Sequence, residues 1–236
     1  MKKIVLIAVA VAVVIMAAAA VHIYNYDRGK LTTEAQYTGL ARSVTDNALV
    51  SDRDPAVVMR FDPSFRHVGG QKFVLYGVAD TEQHFFVETT ADDKLKSVYW
   101  IQFEAYRPDN RYTYDYDNSP GRLQLGDYKF YVDTAAVQSD PKRKRRAGTD
   151  GARAREFLKS KGYTFPLNYT YARIVHLTDE SRRKELMVIF MQDLAPLGLK
   201  GSDLEEGGEA AGRWPRIEKN HLDKIRSTMT LVTPPE

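Results

Sequence analysis

The chain contains no cysteine, which excludes disulfides, thiolate metal sites and a lipid-modified cysteine at a cleavage point. Neither the G-x-S-x-G elbow of a serine hydrolase nor the glycine-rich phosphate loops G-x-x-x-x-G-K-[ST] and G-x-G-x-x-G occur. The five histidines have no flanking pattern that would build a catalytic triad. Charge of one sign is also missing: 34 Lys and Arg stand against 31 Asp and Glu, and two of the lysines, Lys2 and Lys3, precede an apolar run. The remainder is close to neutral and lacks the basic face that phosphate neutralisation requires, so no nucleic-acid partner is expected.

The strongest positive feature is residues 4–21, IVLIAVAVAVVIMAAAAV, a run with no charged or polar side chain. At about 1.5 Å per helical residue it approaches the roughly 30 Å hydrocarbon thickness of a bilayer, and a helix satisfies its own backbone groups in lipid. Residues 1–26 therefore read as a transmembrane helix, with the membrane as partner through residues 4–21. Lys2 and Lys3 mark the cytoplasmic end, which gives a single-pass protein of a bacterial inner membrane with residues 27–236 in the periplasm or extracytoplasmic space. Two fates fit the segment. Its length and the interfacial rings of His22, Tyr24 and Tyr26 favour a retained anchor, whereas the small residues Ala17 to Ala20 suit a cleaved signal peptide and a secreted product.

Residues 27–236 suffice for one domain. A helix is expected from Thr32 or Thr33 to Val44. Period-two alternation then dominates 72–131, with strands at 72–79, 84–89, 97–106, 111–116 and 127–133 and a polar turn at 80–83. A helix at 151–161, a hairpin of 168–177 with 185–192, an acidic, glycine-rich mobile loop at 197–212 and a helix from Pro215 to Thr228 complete the order. The fold class expected is α+β: an N-terminal transmembrane helix, then one domain with a largely antiparallel sheet, flat or curved, and helices packed on one face.

Glu104 and His84 are the acid/base candidates; Glu104 would share a polar strand face with Trp100, Gln102 and Tyr106. Trp100, Tyr106, Tyr112, Tyr114 and Tyr116 could line a ligand surface, because aromatic rings combine apolar faces with polar edges. Lys142, Arg143, Lys144, Arg145 and Arg146 could bind anionic lipid or an envelope polymer. Glu82, His84 and Glu88 have strand spacing for one face, with His67 within reach through the fold. The Asp115 to Ser119 segment resembles the opening of a calcium loop but has Pro120 and Gly126 where the glycine and glutamate belong. No metal and no cofactor are expected. These features point to a membrane-tethered, non-enzymatic binding or scaffolding domain of the cell envelope. Two alternatives stay open: a carrier of lipid or another hydrophobic ligand, with a pocket lined by Trp100, Phe103 and the tyrosines, and an envelope hydrolase using an acid/base carboxylate.

Overall fold

Long alternating strands form two antiparallel sheets in the computed structural model, which describes residues 2–143 and 146–234; the side chains of residues 2–6 and 8–10 lie outside that description. The larger sheet comprises β4 (Arg66–Leu75), β5 (Ala79–Thr89), β6 (Leu95–Tyr106), β7 (Gly121–Leu125), β8 (Tyr128–Gln138), β9 (Asn168–Leu177) and β10 (Lys184–Asp193). Its order is β4-β5-β6-β10-β9-β8-β7. Two meanders, one of three strands and one of four, thus meet where β6 pairs with β10. The smaller sheet orders β1 (Ser43–Thr45), β2 (Ala48–Asp52), β3 (Ala56–Phe61) and β11 (Met229–Val232) in sequence.

Both faces of the large sheet are covered, so its central strands are apolar on both sides. On one face Tyr99, Ile101 and Phe103 of β6 and Leu186, Val188 and Phe190 of β10 pack against Leu49, Val57, Met59 and Leu231 of the small sheet. Ile225 of helix α3 (Trp214–Thr228) joins them. On the other face Trp100, Met187 and Ile189 meet Ala154, Phe157 and Leu158 of α2 (Asp150–Ser160). Thr149 caps α2 by accepting from Ala152 N at 3.0 Å, leaving Phe157 stacked on Phe85 at 4.8 Å.

The α+β class with antiparallel sheets is as expected, but four details differ. The helices lie on opposite faces rather than one, because the small sheet takes most of the face that α3 shares. The helix expected over 32–44 is extended: Thr33 N donates to Val74 O and Gln36 N to Lys72 O, so the edge of β4 takes up the backbone groups a helix would use internally. The turn expected at 80–83 lies at Tyr76 and Gly77, both at positive φ as a tight hairpin turn requires, which draws Thr81, Glu82 and Gln83 into β5. Residues 111–116 form no strand, since arginines satisfy their carbonyls: Arg183 donates to Tyr112 O at 2.8 Å and Arg182 to Tyr114 O at 2.9 Å.

Within 197–212 the chain makes two 3-10 turns, at Gly201–Leu204 and Ala211–Arg213. The first helix, α1 (Lys2–Asp27), precedes the sheets, and every described side chain from Val11 to Tyr24 is exposed. Among the described residues no helix is long and apolar enough to cross a membrane. Six residues of the 4–21 run lie outside the described side chains.

Phe190 is fully buried, stacked 4.4 Å from Tyr99 and 4.8 Å from His221. Its replacement by alanine is expected to cost about 3–5 kcal/mol. Thermal unfolding of the detergent-solubilised chain checks this, and an unchanged midpoint would refute the packing described.

Candidate functional site

Pairing of β6 with β10 sets Glu104 directly opposite Glu185, on the face that carries Trp100 and Gln102. Both glutamates are buried. Burial first, opposed by the hydroxyl of Tyr114, pushes the Glu104 carboxyl up to about 7. Burial and then the charge of Glu104 push Glu185 up to about 8. Asp150, in the first turn of α2, is also raised, by burial. Three carboxyls in one dry region disfavour each other's ionised forms.

Donors converge on Glu104. A chain of amides crosses three strands: Gln71 Nε2 donates to Gln83 Oε1 at 2.7 Å, Gln83 Nε2 to Gln102 Oε1 at 2.8 Å, and Gln102 Nε2 to Glu104 Oε2 at 2.6 Å. Trp100 Nε1 donates to Gln102 Oε1 at 3.1 Å. From outside, Tyr114 donates to Glu104 Oε1 at 2.8 Å and Tyr116 to Glu185 Oε2 at 2.7 Å. Burial holds both phenols well above their ordinary value, so they remain donors. The expected tyrosine cluster is real in space. Tyr106 stacks on Tyr114 at 4.4 Å, Tyr114 on Tyr116 at 6.4 Å, and Tyr112 lies 5.7 Å from Tyr106.

The cluster works as a cover, however. Tyr114 and Tyr116 spend their hydroxyls inward on carboxylates, Trp100 is buried with its indole N–H satisfied, and Tyr112 alone of the five aromatic candidates is fully exposed. Glu104, expected on a polar strand face, is instead buried, with Tyr114 over one side and the end cleft on the other. Sequence reasoning missed Glu185 and Asp150. One acid at the head of the apolar stretch ELMVIFM was a signal for Glu185; its partner depends on a long-range register.

His84 lies on the opposite face, so the two acid/base candidates do not converge. Its Nε2 donates to Glu82 Oε1 at 2.8 Å, since a carboxylate only accepts. Although burial pushes Glu82 up, His84 and the backbone N–H groups of Ala41 and Arg42 hold it below its ordinary value. His67 comes within 5.7 Å of His84, ring to ring, while Glu88 pairs with Lys96 and Lys224, each at 2.6 Å. Among the described residues no group of three or more histidine or acidic side chains could hold a metal. Arg182 occupies the place of a cation beside Asp115 and Asp117, at 3.4 and 3.1 Å.

A cleft of about 510 Å³ opens at the end of the two-sheet stack, between β4, β5 and β6, the segment 33–42 and the turn after β2. Arg42, Arg53 and Lys72 supply positive charge and Asp54, Asp80, Glu82 and Glu104 are the acidic residues of the lining. Arg42 is fixed: its guanidinium lies 4.1 Å from the Phe103 ring and donates to Ser51 Oγ and Arg53 O. Arg53 and Asp80 are exposed. Of the expected ligand-lining aromatics Phe103 borders this cleft, with Phe73 as the rest of its aromatic wall, whereas Trp100, Tyr106, Tyr112, Tyr114 and Tyr116 do not.

The basic loop is split by the description. Lys142 and Arg143 are exposed and Lys144 and Arg145 lie outside the described residues. Arg146 folds back on the end of α1, 3.4 Å over the Tyr26 ring and 3.8 Å from Asp27.

No protein-family model, curated protein or solved structure matches the chain.

The raised carboxyls and depressed histidines make stability depend on pH with opposite signs. Glu104 and Glu185 bind protons more tightly folded than unfolded, so their contribution is complete below about 4.5 and is lost as pH rises through about 7 and 8. Burial depresses His67 and His221 to about 4, so their contribution is lost as pH falls from 6.5 through about 4. The melting temperature is expected to peak near about pH 6. Glu185→Gln should flatten the alkaline limb and leave the acid limb in place. A wild-type profile flat from pH 6 to 9 would show that neither glutamate is perturbed.

Proposed function

We propose that this chain is a membrane-tethered, extracytoplasmic binding domain whose cleft takes a small polar ligand bearing both charges. The observation that carries the reading is the cleft itself, about 510 Å³, with cationic and anionic side chains facing one space over an aromatic floor. Its size suits a small molecule. Its lining suits a polar ligand better than a hydrocarbon tail, because each buried charge must find a counter-charge. Of the acid/base candidates, Glu104 borders the cleft but has its carboxyl oxygens bonded by Tyr114 and Gln102, and His84 is engaged by Glu82 on the other face, which favours binding over turnover.

The tether rests on the sequence of 4–21 and is supported by the free-standing helix. Among the described residues of this helix the Ile, Val and Met side chains are exposed, and lipid is the solvent that suits them. Tyr24 and Tyr26 then fall at the interface, where amphipathic rings concentrate.

The test is native mass spectrometry of the chain extracted by mild detergent from its own membrane, beside the charge-swapped Arg53→Glu, Asp80→Lys variant. Both side chains are exposed, so the fold should survive. A retained small molecule is expected in the wild type, with occupancy reduced about tenfold or more in the variant, a loss of roughly 1.4 kcal/mol. A bare wild-type chain, or equal retention by the variant, would remove the cleft from consideration.

A further inference from the structure

Two sequence-distant basic segments meet where α1 ends. Arg28 and Lys30 follow the helix directly, both exposed, with their charges 5.3 and 5.5 Å from the Tyr24 ring. The loop that carries Lys142 and Arg143 is fastened to the same place by contacts that leave little freedom. Thr32 Oγ1 donates to Gly148 O at 2.6 Å. Gly29 and Gly148 pack backbone to backbone so closely that a Cβ on Gly29 would lie 2.5 Å from the carbonyl carbon of Ala147. Both glycines have positive φ, at 70° and 69°. Arg146 lies 3.4 Å over the Tyr26 ring, which itself meets Tyr76 at 5.0 Å, with Asp27 3.8 Å away. Lys142 and Arg143 lie within four residues of that clamp, so chain length alone keeps them near the foot of the helix.

We propose that Arg28, Lys30, Lys142 and Arg143 form a cationic collar around the foot of α1 that binds the anionic headgroups of the bilayer the helix enters. This rests on the tether reading above and adds a lipid class to it. Charge complementarity and continuity with the apolar helix select a lipid surface over a soluble polyanion. Tyr24 and Tyr26 belong at headgroup level, and the four cations stand within a turn or a short loop of those rings, inside the Debye length at which surface charge acts. The acid at the helix end, Asp27, lies 3.8 Å from Arg146, which is outside the four collar cations. Tight Gly29–Gly148 packing gives the loop a reason to be there: it holds like charges together that would otherwise spread apart.

The experiment uses the full chain in nanodiscs of phosphatidylcholine alone or with about 30% phosphatidylglycerol, read by hydrogen–deuterium exchange. In the anionic discs, exchange over 27–32 and 140–148 is expected to slow about tenfold, and to recover at about 1 M salt, where screening is short-ranged. The variant Arg28→Gln, Lys30→Gln, Lys142→Gln, Arg143→Gln should exchange alike in both discs; it spares Arg146 and both glycines and so keeps the clamp. Equal exchange of the wild type in both discs, with the chain still resistant to alkaline extraction, overturns the collar and leaves the tether. Slowing by soluble polyphosphate in neutral discs but not by phosphatidylglycerol overturns it in favour of a polymer. Release of the chain by alkali from both discs overturns tether and collar together.

Discussion

The pairing of β6 with β10 is the constraint on which the rest of the structure depends. Each strand belongs to a separate half, one a run of local hairpins and the other two hairpins paired across the connection that carries α2, and only the ladder running from Lys184 opposite Ala105 to Gln192 opposite Ser97 makes one sheet of the two. It also brings Tyr99 against Phe190 and Trp100 against Ile189, so each face of the joined sheet acquires enough apolar surface to hold a covering layer. Without the ladder, α2 would have half a platform, and the small sheet would have no floor.

That same register forces Glu104 and Glu185 together. Because side chains alternate along a strand, the pairing that buries Ile101, Phe103, Leu186 and Val188 on one face fixes the two glutamates on the other. A slip of one residue would relieve the glutamates and expose the core, a far larger loss. The molecule accommodates the pair by surrounding it with donors: the amide chain of Gln71, Gln83 and Gln102 on one side, Tyr114 and Tyr116 on the other. Polar networks of this kind are stable only when every member is satisfied. Here all the donors run toward the carboxylate, a consistent direction that leaves no amide of the chain unpaired.

The strands legible from sequence were those whose chemistry is local. The alternation of 97–106 and the hairpin of 168–177 with 185–192 follow from side-chain period and turn residues alone, and both are present within a residue or two. What could not be read is whatever depends on a distant partner. Thr32 and Thr33 look like helix caps, but Thr32 reaches Gly148 instead and Thr33 meets Val74, so propensity yields to the free edge of β4. The RYTYDY segment alternates as a strand should, yet Arg182 and Arg183 take its carbonyls before any strand can. Glu104 was identified as a candidate from its strand position, but its burial was not, because it requires knowing that 112–116 folds back over β6. That the grouped tyrosines would turn two hydroxyls onto buried carboxyls was not legible for the same reason.

The failed helix at 32–44 also has a positive consequence for the proposed cleft. A helix there would have shortened the segment to about 1.5 Å per residue and drawn its backbone groups inward. Extended, the segment reaches from the foot of α1 along the edge of β4, and Ala41 and Arg42 aim their backbone N–H groups at Glu82. Those two bonds, with that of His84, keep a buried carboxylate ionised beneath the cleft and let Arg42 stack on Phe103 as its wall. The residues that leave the helix therefore become, within fifteen positions, the residues that line the opening. Under the proposed tether this would place the cleft one short, hydrogen-bonded path from the bilayer surface, because the foot of α1 and the wall of the cleft are parts of the same piece of chain.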